Sequence, residues 1–298
     1  MNFKLYWNIL TKIIDEWSED KAPKLGAALA YYTIFSLAPL FVISIAVAGF
    51  LFGKEAAEGQ IVNEIQGLVG KEGAVLIQNA IKQSSDTESG IIATIISVVT
   101  MLVLSSAAFI ELQDSLNMIW KVKPKPGRAI KDFIKNRLLS FAMVVGIGFL
   151  LLVSLVVSAG ISALNEFIGD FFSIPPFVLQ IINIVLSLGV VFILFSMIFK
   201  ILPDVQITWK DVRIGAIVTT VLFVLGKYLI GLYLGTSTVG STFGAAGSFA
   251  IVLIWVYYSA QILFLGAEFT YIYATRFGSG ITPAKHAVEF ERVTVEKE

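Results

Sequence analysis

Long apolar stretches alternate with short polar connections along almost the whole chain. A helix needs about 20 apolar residues to cross the ~30 Å hydrocarbon core of a bilayer, and six stretches reach that length. We therefore predict an all-α polytopic membrane protein, a single integral membrane domain over residues 1–298. The predicted spans are 25–53, 91–119, 138–164, 177–201, 214–234 and 248–275.

Three regions outside the spans have patterns of their own. Residues 54–90 predict an amphipathic helical cap on the outer side, and residues 277–298 predict a flexible cytoplasmic tail that holds a solvated His286. Residues 1–24 predict an interfacial helix on the inner leaflet. Its large apolar side chains recur every three or four positions, with charged residues between them: Trp7, Leu10, Ile14 and Trp17.

The distribution of Lys and Arg predicts the orientation. Eighteen of these residues fall in the N-terminal segment, the loop 121–137, the stretch 200–213 and the C-terminal residues 276–298. Only three fall on the opposite side, all of them within 54–90. Since cytoplasmic loops are enriched in Lys and Arg, we predict a multi-pass membrane protein with both termini in the cytoplasm.

Composition excludes several kinds of site. The chain has no cysteine and one histidine, and 56% of its 298 residues are hydrophobic. Disulfides, Cys/His zinc sites and haem ligation by these residues are therefore excluded. We expect no metal and no cofactor.

Polar side chains enter the first predicted span. Tyr32, Ser36 and Pro39 share one helical face, which we expect to turn towards the bundle interior. Pro39 removes a backbone donor and predicts a kink near Phe35. The opposite face is predicted to meet lipid and carries Ile34, Phe41 and Ile45. The polar face fits either a buried, kinked helix or a helix that lines a hydrated cavity.

Similar polar stripes occur on the later spans. The fourth carries Gln180, Asn183 and Ser187, the fifth Ala216, Thr220, Lys227 and Gly231, and the sixth Tyr258, Gln261, Leu265 and Glu268. Lys227 is the most costly of these residues to place in hydrocarbon. It predicts snorkelling towards the outer surface or a role in holding an anionic ligand. An ion pair with Glu268 or Glu111 is a further alternative, disfavoured by the difference in depth between these residues and Lys227. Our candidates for lining a cavity or binding cargo are thus Tyr32, Ser36, Pro39, Asn183, Lys227, Tyr258, Gln261 and Glu268.

Glu111 and Asp114 follow the apolar part of the second predicted span, where the helix is expected to leave the bilayer without ending. Their spacing allows them to hold a cation or to relay protons, and it equally fits a solvated helix end.

Three segments resemble the YihY/BrkB family of bacterial inner-membrane proteins, whose members were historically mislabelled ribonuclease BN. They are "KLGAALAYYTIFSLAPLFVISIAVAGFLFG" (24–53), "FIELQDSLNMIW" (109–120) and "FGAAGSFAIVLIWVYYSAQILFLGAEF" (243–269). The resemblance implies six spans with cytoplasmic termini and a transport function, and it carries over no catalytic residues.

Three functions stay open at this point. We expect a transporter or flippase-like protein whose cargo is an anion or an anionic lipid. The alternative is a non-transporting scaffold that binds lipids, other envelope proteins or further copies of itself. A ribonuclease is disfavoured because no nucleic-acid-binding pattern and no HExxH, GxSxG or nucleotide-loop motif occurs. We therefore expect no enzymatic activity and no specific nucleic-acid partner.

Overall fold

The computed structural model describes residues 3–52, 91–125, 176–236 and 245–290, together with residue 146 and parts of the segment 58–82. The described residues form six long helices, and residues 73–79 are also helical. The long helices are α1 (Phe3–Glu19), α2 (Ala22–Phe52), α3 (Ile91–Ile119), α4 (Pro176–Ile201), α5 (Trp209–Thr236) and α6 (Ala245–Arg276).

The helices α2 to α6 coincide with five of the six predicted spans, while the predicted span 138–164 lies outside the described residues except for residue 146. Among the residues that the structure describes, three helices contain stretches that are long and apolar enough to cross a membrane by length and composition: Ile184–Ile201, Trp209–Leu232 and Phe249–Arg276. The described part is thus a mainly helical protein with membrane-length helices.

Two short antiparallel strand pairs depart from the all-α prediction. Strand β1 (Val122–Pro124) pairs with β4 (Ala287–Glu289), and β2 (Val205–Gln206) pairs with β3 (Thr282–Pro283). The prediction of a flexible tail is therefore wrong for residues 277–290. Strands of two or three residues are too short for an alternating pattern to show in sequence, and their partners are supplied by loops distant in the chain.

Helix α6 lies at the centre of the described helices, because it contacts α1, α2, α3 and α5. The largest buried cluster surrounds its C-terminal half and includes Trp120, Phe199 and Phe264, each at most 1% exposed. We call this end of the bundle, with α1 and the four strands, the base.

Helices α5 and α6 approach each other closely through two reciprocal pairs of glycine and threonine. A Cβ at Gly215 would overlap the side chain of Thr270, and a Cβ at Gly266 would overlap that of Thr219. Both threonine hydroxyls donate to the carbonyl four residues earlier, at 2.8 Å for Thr219 and 2.6 Å for Thr270. Small residues at these positions let the two backbones pack tightly while each hydroxyl stays satisfied.

At the far end of the bundle, apolar residues of the segment 58–82 pack on α2 and α6. The buried cluster there contains Ile45, Ile65, Ala74, Ile77, Ile81 and Val252, and Phe41 packs against it. The prediction that Ile45 and Phe41 face lipid is therefore wrong, because this segment covers them.

Candidate functional site

The most unusual side chain at the base is the carboxyl group of Glu268 on α6. The residue is fully buried, and neither carboxylate oxygen has a hydrogen-bond partner among the described residues. The charges that act on it come from Asp20, Lys121 and Glu16. A buried carboxylate without a donor is costly, so these neighbours determine its charge state.

Lys121 is the cation of this cluster. Its Nζ lies 2.6 Å from both carboxylate oxygens of Asp20 and 3.2 Å from Oε2 of Glu16. Burial lowers the pKa of Lys121, but the hydrogen bonds and negative charges of Asp20 and Glu16 outweigh it, and the net pKa lies above the ordinary lysine value. The ion pairs of Lys121 stabilise the folded protein in full at a pH below the pKa of an unfolded lysine. This stabilisation is lost as the pH rises through the pKa that Lys121 has in the folded protein.

Local structure places these groups together. Glu16 and Asp20 are four residues apart, so they lie on one face where α1 ends. Lys121 follows α3 directly and has a left-handed backbone with φ of 56°. In that conformation the chain turns from α3 into β1. The buried Trp120 donates from Nε1 to the carbonyl of Ala267 at 3.2 Å, which ties the end of α3 to α6 one residue before Glu268.

A second buried polar network surrounds Asp204, between α4 and α5. Its carboxylate accepts hydrogen bonds from Gln113 at 3.3 Å and Asn117 at 3.1 Å, and its backbone N–H donates to Oδ1 of Asn117 at 2.8 Å. Nε2 of His286 lies 2.7 Å from Oδ1 of Asp204. The prediction of a solvated His286 is therefore wrong, because the C-terminal segment folds back onto this network.

Asp211 forms a third contact that holds the C-terminal segment. Its Oδ2 accepts from the hydroxyl of Thr208 at 2.8 Å and from the backbone N–H and hydroxyl of Ser279 at 3.1 and 2.7 Å. Thr208 directly precedes α5, as expected of a residue that caps a helix N-terminus. The first turn of α5 therefore anchors the chain just after α6.

The polar face predicted on α2 is only partly turned inward. Ser36 is buried and donates to the carbonyl of Leu104 on α3 at 2.6 Å, and Pro39 is buried as well. Tyr32 is 40% exposed, contrary to the prediction. The helix continues through Pro39. Ser36 thus contributes to helix packing, and the three residues do not form one continuous surface.

The candidates on α5 and α6 also separate. Gln261 donates from Nε2 to the carbonyl of Ala22 at 3.4 Å, and its Oε1 is buried without a partner among the described residues. Tyr258 is half-buried against Gly226. Lys227 is exposed, whereas Thr220 on the same helical face is buried and bonded to Ala216. Exposure along α5 therefore depends on depth as well as on face.

Of the remaining candidates, Asn183 lies on α4 and its side chain is outside the described set. Glu111 is half-buried and Asp114 exposed. The charge of Asp204 acts on Asp114, so this pair borders the Asp204 network and not Glu268. No group of three His, Asp or Glu side chains placed to hold a metal ion occurs in the described part of the chain.

The sequence interpretation missed Asp20, Lys121 and Asp204 as partners. Asp20 and Lys121 both fall next to helix ends within charged segments, where a solvated position is the ordinary expectation. The signal that was present is the apolar spacing of Leu112, Leu116 and Ile119, which continues the buried face of α3 up to Lys121.

A cavity of about 200 Å³ lies at the far end of the bundle, between α2, α6 and the segment 73–79. Its lining is apolar and consists of Ile34, Leu37, Ala38, Leu76, Ile77, Phe249 and Val252. Such a cavity suits hydrocarbon better than a hydrated ion.

Comparisons with known proteins agree with the resemblance seen in the sequence. The family described as virulence factor BrkB matches residues 13–291. A UPF0761 membrane protein of Psychrobacter sp. (strain PRwf-1) is 23% identical over 91% of this chain and 49% of its own length. One from Tolumonas auensis is 26% identical, over 84% of this chain and 80% of its own length.

A ribonuclease-like protein of Bacillus subtilis, YfkH, is 21% identical over 88% of this chain and 93% of its own length. The chain spans about half the length of some of the curated relatives that it matches, such as those of Psychrobacter and Ralstonia nicotianae. No solved structure matches it. Since the family match extends over nearly the whole chain and the relatives are membrane proteins, the chain belongs to the BrkB family of membrane proteins.

Proposed function

We propose that this protein is a flippase-like transporter that moves an anionic lipid across the bacterial cytoplasmic membrane, with both of its termini in the cytoplasm. The observation that carries the proposal is the apolar cavity between α2, α6 and the segment 73–79. Its apolar lining matches part of an acyl chain.

The behaviour of the polar candidates also favours a lipid over a small hydrated anion. Ser36 and Gln261 donate to backbone carbonyls of neighbouring helices, and Thr220 donates within its own helix. Ser36 and Gln261 therefore stabilise helix packing, and the hydroxyl of Thr220 is satisfied locally. Lys227, which is exposed on α5, supplies a positive charge for a lipid phosphate, since lysine side chains reach towards headgroups from within a span.

Reconstitution of the full chain into liposomes tests this function. The liposomes would contain fluorescent phosphatidylglycerol, and an impermeant quencher would measure how much of it moves between leaflets. We expect movement above that of protein-free liposomes, and less movement with fluorescent phosphatidylcholine. No movement of either lipid would contradict the proposal.

A matched pair of variants on α2 tests the role of the cavity. Ala38→Phe places a ring in the cavity, whereas Ala27→Phe makes the same change at an exposed position of the same helix. We expect the first variant to slow lipid movement severalfold and the second to leave it unchanged. Equal rates in both variants would remove the cavity from the mechanism.

The second candidate is a non-transporting scaffold that binds lipids or other envelope proteins. The observation in its favour is the row of exposed apolar side chains on α1, where Trp7, Leu10 and Ile14 are 55–59% exposed. A scaffold would bind anionic liposomes through this row without moving lipid. Trp7→Gln with Ile14→Gln would then abolish binding, while a transporter would retain lipid movement once reconstituted.

The ribonuclease-like name of the Bacillus relative is the basis for a third test. We propose that this chain is not an enzyme, because no nuclease motif occurs in its sequence. Incubation of the purified chain with RNA should leave the RNA intact, in the presence and absence of divalent cations. Cleavage that co-purifies with the chain would contradict this part of the proposal.

A further inference from the structure

The carboxyl groups at the base outnumber the lysines that pair with them. Glu16 pairs with Lys121 at 3.2 Å and with Lys12 at 3.8 Å, and Asp20 pairs with Lys121 at 2.6 Å. Glu268 has no cation of its own within the described residues. An ionised Glu268 would thus add an unneutralised negative charge in a position that is fully buried.

Two ionised carboxylates are hydrogen-bond acceptors only, so Asp20 and Glu268 cannot bond to each other unless one carries a proton. Asp20 is 1% exposed and lies beside Glu268. Buried carboxyl pairs of this kind share a proton, because the like charges repel and burial disfavours both. Among the described residues no other donor reaches Glu268, which places the proton on that residue.

We propose that Asp20 and Glu268 form a proton-binding site, in which Glu268 carries the proton and its O–H donates a hydrogen bond to the Asp20 carboxylate. Lys121 contacts both carboxylate oxygens of Asp20 at 2.6 Å from the other side. The site stands independently of the proposed lipid transport, since it requires only the contacts of α1, α6 and the end of α3.

Other charged and titratable side chains face this site from α1, α6 and β4. Glu16 adds a negative charge from α1, and Tyr271 lies on α6 within reach of Lys121. Glu289 on β4 acts on Tyr271. Release of the proton would therefore set three carboxylates, those of Glu16, Asp20 and Glu268, against the single charge of Lys121.

Infrared spectroscopy of the full chain in lipid nanodiscs tests the proton directly. We expect the carbonyl band of a protonated carboxylic acid at neutral pH, which weakens as the pH is raised. Glu268→Gln keeps the size of the side chain and should remove this band. Glu111→Gln is the control, because Glu111 is a half-buried carboxyl group that lies away from the cluster. A band that is the same in wild type and Glu268→Gln would overturn the proposal.

The variant Asp20→Asn distinguishes a proton that Asp20 and Glu268 share from protonation that burial of Glu268 alone would cause. Removal of the Asp20 charge leaves Lys121 available to Glu268, so the band should disappear at lower pH than in the wild type. A titration that does not move in Asp20→Asn would overturn the sharing, even if Glu268→Gln removes the band. Unchanged lipid movement in either variant bears only on transport and leaves the infrared result intact.

Discussion

Single residues decide how closely α5 and α6 approach. Gly215 and Gly266 each leave room for a threonine of the opposite helix, and both threonines are fully buried. A side chain on either glycine would require the two helices to separate or the threonine to rotate away from its carbonyl. Interiors packed at this density tolerate neither change without cost.

We predict that Gly215→Ala destabilises the protein by about 1–3 kcal/mol, because the added methyl group overlaps Thr270. Gly231→Ala on the same helix is the control, since a Cβ there meets nothing within 4 Å. It should be neutral or stabilising by about 0.5–1 kcal/mol through helix propensity. Thermal unfolding in one detergent measures both, and equal shifts would show that the close approach does not limit stability.

Short elements hold the base together. Strands β1 and β4 join the loop after α3 to the C-terminal segment, and β2 and β3 join the loop after α4 to the same segment. The polar contacts of His286 with Asp204 and of Ser279 with Asp211 lie at the same junctions. The C-terminal segment thus connects α3, α4 and α5 at one end of the bundle.

This arrangement predicts a specific cross-link between β1 and β4. Lys123 and Val288 are paired Cα partners, at a separation of about 5.5 Å for such a pair, which suits a disulfide. The combination Lys123→Cys with Val288→Cys should oxidise rapidly to an internal disulfide, detected by mass spectrometry of the linked peptides. The chain has no cysteine of its own, so no other pairing competes.

The control combination places the second cysteine at Glu289, the position next to Val288 on the same strand. Lys123→Cys with Glu289→Cys puts the two thiols on opposite faces of the strand pair, because Glu289 is the partner of Val122. This second pair should form the disulfide much more slowly. Equal rates for the two combinations would indicate a mobile tail, as the sequence pattern alone suggested.

At the scale of the whole molecule, the described helices enclose two separate buried regions. The larger one is at the base around α6, and the smaller one is at the far end, where the segment 58–82 packs on α2 and α6. Among the described residues, Lys121, Lys123 and Lys285 lie in the connections and strands at the base. In our proposal the base faces the cytoplasm and the segment 58–82 faces outward.

Single-cysteine labelling with a membrane-impermeant maleimide checks this orientation. Lys71→Cys in the outer segment should react in spheroplasts, while Ser18→Cys and Lys285→Cys at the base should react only in inverted vesicles. All three positions are exposed, so burial does not explain a lack of reaction. The reverse pattern would invert the proposed topology.

The sequence by itself was sufficient for the helices and the family. The bounds of five predicted spans agree with α2 to α6 within a few residues, because the length of an apolar run and its charged flanks are local properties. The segments 24–53, 109–120 and 243–269 likewise identified the family. The amphipathic pattern within residues 1–24 predicted α1, and Trp7, Leu10 and Ile14 are exposed along it.

Only the tertiary structure decided which polar groups meet. Glu268 stood out in the sequence, but its neighbours Asp20 and Lys121 come from segments about 250 and 150 residues away in the chain, and no local pattern records such a contact. Similarly, Thr220 and Lys227 share a helical face, yet one is buried and the other exposed. Burial depends on where a neighbouring helix ends, and strands as short as β1 to β4 exist only because distant loops supply their hydrogen-bond partners.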